Sequence, residues 1–300
     1  MRRIGALQTE GFARWAAIPI GVASIATSSI LIRLTTAPPL VTAANRLLLA
    51  SVLLLGLAFI TQRQDLMKAF GRFRWRMVGA GLLLALHFAM WTNALFLTSV
   101  ASAVFLIDTH PAVVALLSRR ALGELTSRRV WLGIGLTAVG GAAITGGDVP
   151  IGQRALLGDA MALIGALAFA GYLVIGRSVR PQLGIAAYTG VVYGLAGLTL
   201  AAAVFVSGGL LDGAGRDWPV WLALVLVPTL GGHTVLNWTL RFLPASVVGV
   251  SILGEPVGAT LLAWVVLNET PPRTALLGGS LILLGLYMAL RAGTREKAAG

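Results

Sequence analysis

The sequence predicts an all-α integral membrane protein, with ten transmembrane helices forming two inverted-topology five-helix repeats around a central cavity. Three observations predict it. Hydrophobic residues make up 57% of the 300 and charged residues 11%, with mean hydropathy +0.86, whereas a soluble domain carries about 25% charged residues. Too few polar groups are present to cover a globular surface, so most of the exterior must face lipid. Apolar runs also recur at the length a bilayer needs, about 20 residues. Finally, the chain repeats itself. Shifted by 145 positions, residues 107–145 fall on 252–290 with eleven of the thirty-nine positions identical.

The apolar runs are 15–33, 40–60, 75–97, 101–118, 130–146, 157–177, 186–206, 218–240, 246–267 and 274–291. They are too long for strands and lack two-residue alternation, and lipid admits only helices or closed barrels. The first run is read as a retained span and not a removed signal peptide, because no small-residue cleavage site follows it. Trp15, Trp75, Trp131, Trp218 and Trp221 stand at run ends, where an amphipathic ring prefers the interface. Pro38, Pro39, Pro150, Pro181, Pro271 and Pro272 punctuate loops or run ends, while Pro19, Pro111, Pro228 and Pro256 lie inside runs. The tail after Arg291 is read as disordered.

Lys and Arg set the orientation. Connections on the side of both termini carry eighteen of them, those on the opposite side four, and Arg46 lies inside the second run. Both termini are therefore expected in the cytoplasm of a bacterial cell, with the bundle in the inner membrane. The net charge of +12 falls in short clusters between apolar runs, without a basic domain or a nucleic-acid-binding motif, so nucleic acid is not an expected partner. The absence of cysteine excludes disulfides, thiolate catalysis and cysteine-ligated metals.

Within the repeat, Pro111 meets Pro256, Glu124 meets Glu269, Arg128 meets Arg273, Gly133 meets Gly278 and Gly140 meets Gly285. The unit is about five runs long, giving halves at 1–148 and 149–300. An odd number of crossings forces the second copy to run the opposite way, which is the usual construction of secondary transporters. Glu124 with Arg128, and Glu269 with Arg273, read as i,i+4 pairs at helix starts. The four repeated glycines read as sites of close helix packing.

Ionisable groups in hydrocarbon are costly and usually face a cavity or a partner. That rule selects His87, Asp108, His110, His233 and Glu255. Trp91 joins His87 at i+4, and Asn237 joins His233 at i+4, each pair on one helix face. The alternative for all of them is interhelical hydrogen bonding that holds the bundle together. Pro111 and Pro256 follow His110 and Glu255 directly. Each frees the carbonyl four residues back, of Ile107 and Ile252, and reads as a kink or gating position. Arg46 is placed where it can snorkel to the interface or pair with an acid. Trp91, Tyr172, Trp238 and Trp264 are candidate contacts for an apolar substrate group.

The stretches "ASAVFLIDTHPAVVALLSRRALGE" with "GIGLTAVGGAAIT", and "ASVVGVSILGEPVGATLLAWVVLNE" with "LGGSLILLGLYMAL", resemble the EamA repeat of the drug/metabolite transporter superfamily. "PLVTAANRLLLA" resembles that family's second helix and places its arginine at Arg46. The single-chain form looks most like the YddG-type amino acid exporters. The resemblance implies a basket of helices with a central cavity formed mainly by helices 1, 3, 4, 6, 8 and 9, and with helices 5 and 10 peripheral and closely packed.

No nucleophile elbow and no ATP-binding loop occurs in the sequence, so neither an enzyme nor a cofactor or metal is expected. A membrane-embedded enzyme and a channel are the other-class alternatives. The expected activity is alternating-access export of amino acids or related small metabolites, passive or proton-coupled, by a monomer or weak dimer. Nucleobases, nucleotide sugars or cationic drugs are the alternative substrates.

Overall fold

The computed structural model describes residues 16–145, 152–211, 215–268, 270–271 and 273–296. Trp15, Pro150, Glu269 and Pro272 lie outside the described residues, and so does the Glu269–Arg273 pairing. The described chain is helical, with no strand. In order it forms α1 (Ala16–Arg33), α2 (Pro39–Thr61), α3 (Arg74–Leu97) and α4, made of Val100–Ile107 and His110–Leu122. Then follow α5 (Arg128–Thr145), α6 (Gln153–Val179), α7 (Ile185–Val206) and α8, made of Trp218–Leu224, Val225–Thr234 and Val235–Thr239. The last two are α9, made of Ala245–Ile252 and Glu255–Leu267, and α10 (Ala275–Glu296).

All but α5 and α10 make up eight segments long and apolar enough to cross a membrane. α5 begins on two arginines, and α10 has a shorter apolar part, Ala275–Arg291. α10 also runs to Glu296, past the expected end at Arg291, so the first residues of the expected disordered tail are helix. A short helix, Arg63–Phe70, occupies the connection between the second and third apolar runs. Its Met67 and Phe70 are exposed beside Arg63 and Lys68, the pattern of a helix lying at the interface.

Proline and turn chemistry explain the breaks. α4 interrupts at Asp108–Thr109 and α9 at Leu253–Gly254, and in each the proline takes the second position of the new segment, where its missing N–H is harmless. α4 ends on Gly123 at φ 69° and α9 on Asn268 at φ 55°. These two residues are repeat partners, and both adopt the left-handed conformation that closes a helix. In α8 Pro228 removes a backbone bond and a wide π-type turn follows. The Thr229 hydroxyl takes over, donating to the Leu224 carbonyl at 2.7 Å.

The glycines pack helices as expected. A Cβ at Gly133 would stand 2.6 Å from the Gly285 carbonyl oxygen, and one at Gly140 would stand 2.5 Å from that of Gly278. Only glycine permits backbones this close. α5 and α10 therefore lie antiparallel. Because Gly133 repeats as Gly278 and Gly140 as Gly285, each contact becomes the other when the halves are exchanged. α2 and α7 approach in the same manner, with Leu48 and Leu55 seated over Gly197 and Gly190, and Ser51 Oγ donating to the Gly190 carbonyl at 2.8 Å.

Three sequence readings are corrected. Glu124 does not start a helix with Arg128. It pairs with Arg177 at 2.6 Å and accepts from the backbone N–H of Ala245 at 3.3 Å, so it caps α9 of the other half. The turn opened by Gly123 carries it away from α5. Trp221 is not at the interface but 1% exposed, packed edge to face on Trp218 at 5.6 Å. Trp264 is exposed on the outer face of α9, away from the centre, and Trp238 packs on Phe242 at 5.0 Å.

Candidate functional site

The breaks in α4 and α9 bring their ionisable groups into one place. A central cavity is lined by Ser28 of α1, His87 and Trp91 of α3, Ile107, Asp108 and His110 at the α4 break, Phe169 of α6, His233 of α8, and Ile252 and Glu255 at the α9 break. About 20 Å³ of it is open to the centre of a water molecule, room for one or two waters and not for a metabolite. The structure is therefore closed at its centre.

Six of the seven predicted site residues line this cavity: His87, Trp91, Asp108, His110, His233 and Glu255. Asn237 does not. It lies one turn beyond His233, donating to the His233 carbonyl at 2.7 Å and to the Tyr172 hydroxyl at 2.5 Å. Tyr172 is buried in the core, behind Phe169. Pro111 and Pro256 head the second segments of α4 and α9.

The carbonyl freed by Pro111 has a partner. His110 Nδ1 donates to Ile107 O at 3.0 Å, because a carbonyl only accepts. In the neutral ring Nε2 is then an acceptor, and it is buried without a protein partner. His87 Nδ1 likewise donates to Gly165 O at 3.1 Å, which aims the other edge of its ring at the cavity. Asp108 Oδ1 lies 4.0 Å from His110 Nδ1, too far for a hydrogen bond, and Asp108 Oδ2 is buried with no partner. Asp108 also forms part of the wall of a second, mainly apolar cavity between α4, α5, α9 and α10.

Phe169 is the hub that sequence reasoning missed. All three histidines of the chain touch it: His87 stacks at 4.5 Å, His110 meets it at 5.0 Å and His233 at 6.0 Å. Its signal was its place three residues before Tyr172, on the same helix face.

Arg46 was also misread. It neither snorkels nor pairs with an acid. It turns inward and is 1% exposed, donating from Nε to Thr229 Oγ1 at 2.5 Å and from Nη1 to Ser28 Oγ at 2.9 Å. Its guanidinium lies 4.7 Å over the Phe88 ring. Glu255 and Tyr193 are within electrostatic reach. Among the described residues, no three His, Asp or Glu converge closely enough to hold a metal ion.

The sequence pattern of the EamA-like transporter family matches this chain twice, over residues 15–146 and 156–291. The chain belongs to the EamA-like transporter family. This EamA-like protein is also 24% identical over 224 residues to "Uncharacterized transporter sll1319" from Synechocystis sp. (strain PCC 6803), a match that takes in 71% of the chain and 66% of that relative. The chain thus spans just under two thirds of the relative's length. A solved protein crystal structure, 19% identical, superimposes with a TM-score of 0.73 over 95% of this chain and 97% of its own. That likeness is one of fold.

Proposed function

We propose that this chain is an alternating-access secondary transporter that exports amino acids, aromatic and neutral ones included, or related small metabolites across the bacterial inner membrane. One observation carries the reading. Two proline-headed helix breaks, at residues that repeat each other in sequence, line the same polar cavity. A site at a repeat interface, built from discontinuous helices, is the arrangement in which halves of similar energy can exchange roles. The closed cavity fits an intermediate in such a cycle, since loading a metabolite needs the halves to part. The aromatic walls of Trp91, Phe169 and the histidines suit an apolar side chain. In this reading the chain makes ten crossings as two halves, 1–148 and 149–300, keeps both termini in the cytoplasm, acts as a monomer or weak dimer, and needs no cofactor. Transport is downhill or coupled to protons through Glu255 or a histidine.

The test is efflux from reconstituted vesicles loaded with labelled threonine, methionine or phenylalanine. Efflux above that of protein-free vesicles, saturable and accelerated by substrate on the far side, is the expected result. Rates equal to protein-free vesicles for these and for a wide metabolite panel would sink the proposal. A second reading, export of organic cations, is favoured by the two carboxyl groups, Asp108 and Glu255, in the cavity wall. It predicts flux of quaternary amines that amino acids do not inhibit.

A further inference from the structure

Arg46 lacks what a buried cation needs. Two hydroxyls and the face of Phe88 hold its guanidinium, and none of these is charged. Among the described residues no carboxylate comes within 4.0 Å of it. Its Nη2 is buried with no hydrogen-bond partner. Buried charges are ordinarily paired, since desolvation costs several kcal/mol per ion, and buried donors are ordinarily bonded.

The place of this cation matters. Ser28, which accepts from Nη1, is itself a wall of the central cavity. Phe88, under the guanidinium, meets the cavity residue His233 edge-on at 5.6 Å. The hydroxyls orient the guanidinium without neutralising it, and Thr229 is itself fixed on the Leu224 carbonyl in the Pro228 turn. The walls at the α4 and α9 breaks hold the carboxyl groups, Asp108 with an unpartnered Oδ2 and Glu255 in the same cavity. A guanidinium on α2 thus stands directly behind the Ser28 wall, and two carboxyl groups stand in the walls at the α4 and α9 breaks.

We propose that Arg46 anchors the carboxylate end of a zwitterionic substrate, while Asp108 and Glu255 receive its ammonium end. The proposal rests on the transporter reading above and names the groups that would select the substrate within it. A guanidinium suits a carboxylate because its forked N–H groups match the two oxygens. A dipolar ligand would supply both counter-charges at once when the cavity widens to admit it.

Binding to detergent-purified protein tests this apart from transport. Phenylalanine, phenylalaninamide and N-acetylphenylalanine serve as probes by calorimetry. The wild type is expected to bind phenylalanine at least tenfold more tightly than either analogue, because the amide lacks the carboxylate and the acetyl form lacks the ammonium. Arg46→Gln is expected to abolish the preference for acid over amide while keeping the preference against the acetyl form. Arg46→Lys is expected to retain part of the preference. The wild-type comparison needs no variant, so a misfolded substitution leaves the test intact. Equal affinity for acid and amide in the wild type, or no amino acid binding at all, would overturn the role of Arg46. Vesicle flux on the wider panel would then still decide whether the chain transports something else.

Discussion

Glu124 shows how much one side chain can join. Its carboxylate meets Arg177 at the end of α6 and the Ala245 N–H at the start of α9, tying the α4–α5 turn of one half to two helices of the other. Glu124→Gln is expected to lower stability by about 1 kcal/mol, the usual size of a lost cap, read as an earlier thermal unfolding transition in detergent. Asp65 does similar work outside the membrane, accepting from the Gly184 N–H at 2.8 Å at the start of α7 and from Lys68 at 2.7 Å. Partial burial alone would raise its pKa, but the Lys68 ammonium and the Gly184 N–H outweigh burial and hold the carboxyl below its ordinary value. The lower value belongs to the folded state. The stability it contributes is therefore present above the unfolded carboxylate value of about 3.9 and fades as pH falls through the folded one. Asp65→Asn is expected to flatten that acid limb in a pH series of unfolding midpoints, by a small amount because the group is still partly exposed to screening solvent. At this scale the sequence was partly legible. A lone ionisable residue in an apolar run announces itself by its cost, so the five ionisable residues of the cavity wall, His87, Asp108, His110, His233 and Glu255, could be named. Partners far along the chain left no mark: nothing near Glu124 points to Arg177, and nothing near Arg46 points to Thr229.

Helix positions were legible because lipid enforces them through hydropathy, and the breaks because proline does so through the backbone. Close packing on α5 and α10 was legible through the repeated glycines, but which helix each would meet was not. Gly140→Ala is expected to destabilise by roughly 1–3 kcal/mol, the range for forcing atoms into a packed contact, since its methyl would meet the Gly278 carbonyl and the Ile282 backbone N, which cannot swing aside, as well as the Ile282 side chain. Gly135 is the internal control. It lies in the same helix, and a methyl added there would meet nothing within 4 Å, so Gly135→Ala should be neutral or stabilising by about 0.5–1 kcal/mol. Thermal unfolding of both variants in one detergent checks the contrast, and equal effects would deny the close approach. The wide turn after Pro228 was not legible, because it depends on Thr229 supplying the bond that proline removes and on Arg46 holding Thr229 in place. Thr229→Val should destabilise more than Thr239→Val, whose hydroxyl bonds only within its own helix, to Leu236 O.

For the whole molecule, the repeat predicts that scaffold and chemistry separate. The helix breaks, the left-handed closures at Gly123 and Asn268 and the α5–α10 contact are common to both halves, while His110 and Glu255 occupy equivalent positions with different chemistry. If protons drive transport through Glu255, Glu255→Gln should lose the pH dependence of net flux yet keep substrate exchange in vesicles, and unchanged pH dependence would remove it from the mechanism. The two glycine contacts of α5 and α10 have a different consequence. Because each becomes the other on exchange of the halves, a rearrangement that swaps the halves' roles can leave this seam as it is. It can serve as the fixed axle of the machine. Damage there should weigh equally on inward- and outward-facing forms, lowering the amount of folded protein without biasing its direction. Damage to a tie between the halves such as Glu124 with Arg177 should tip the balance between the two forms.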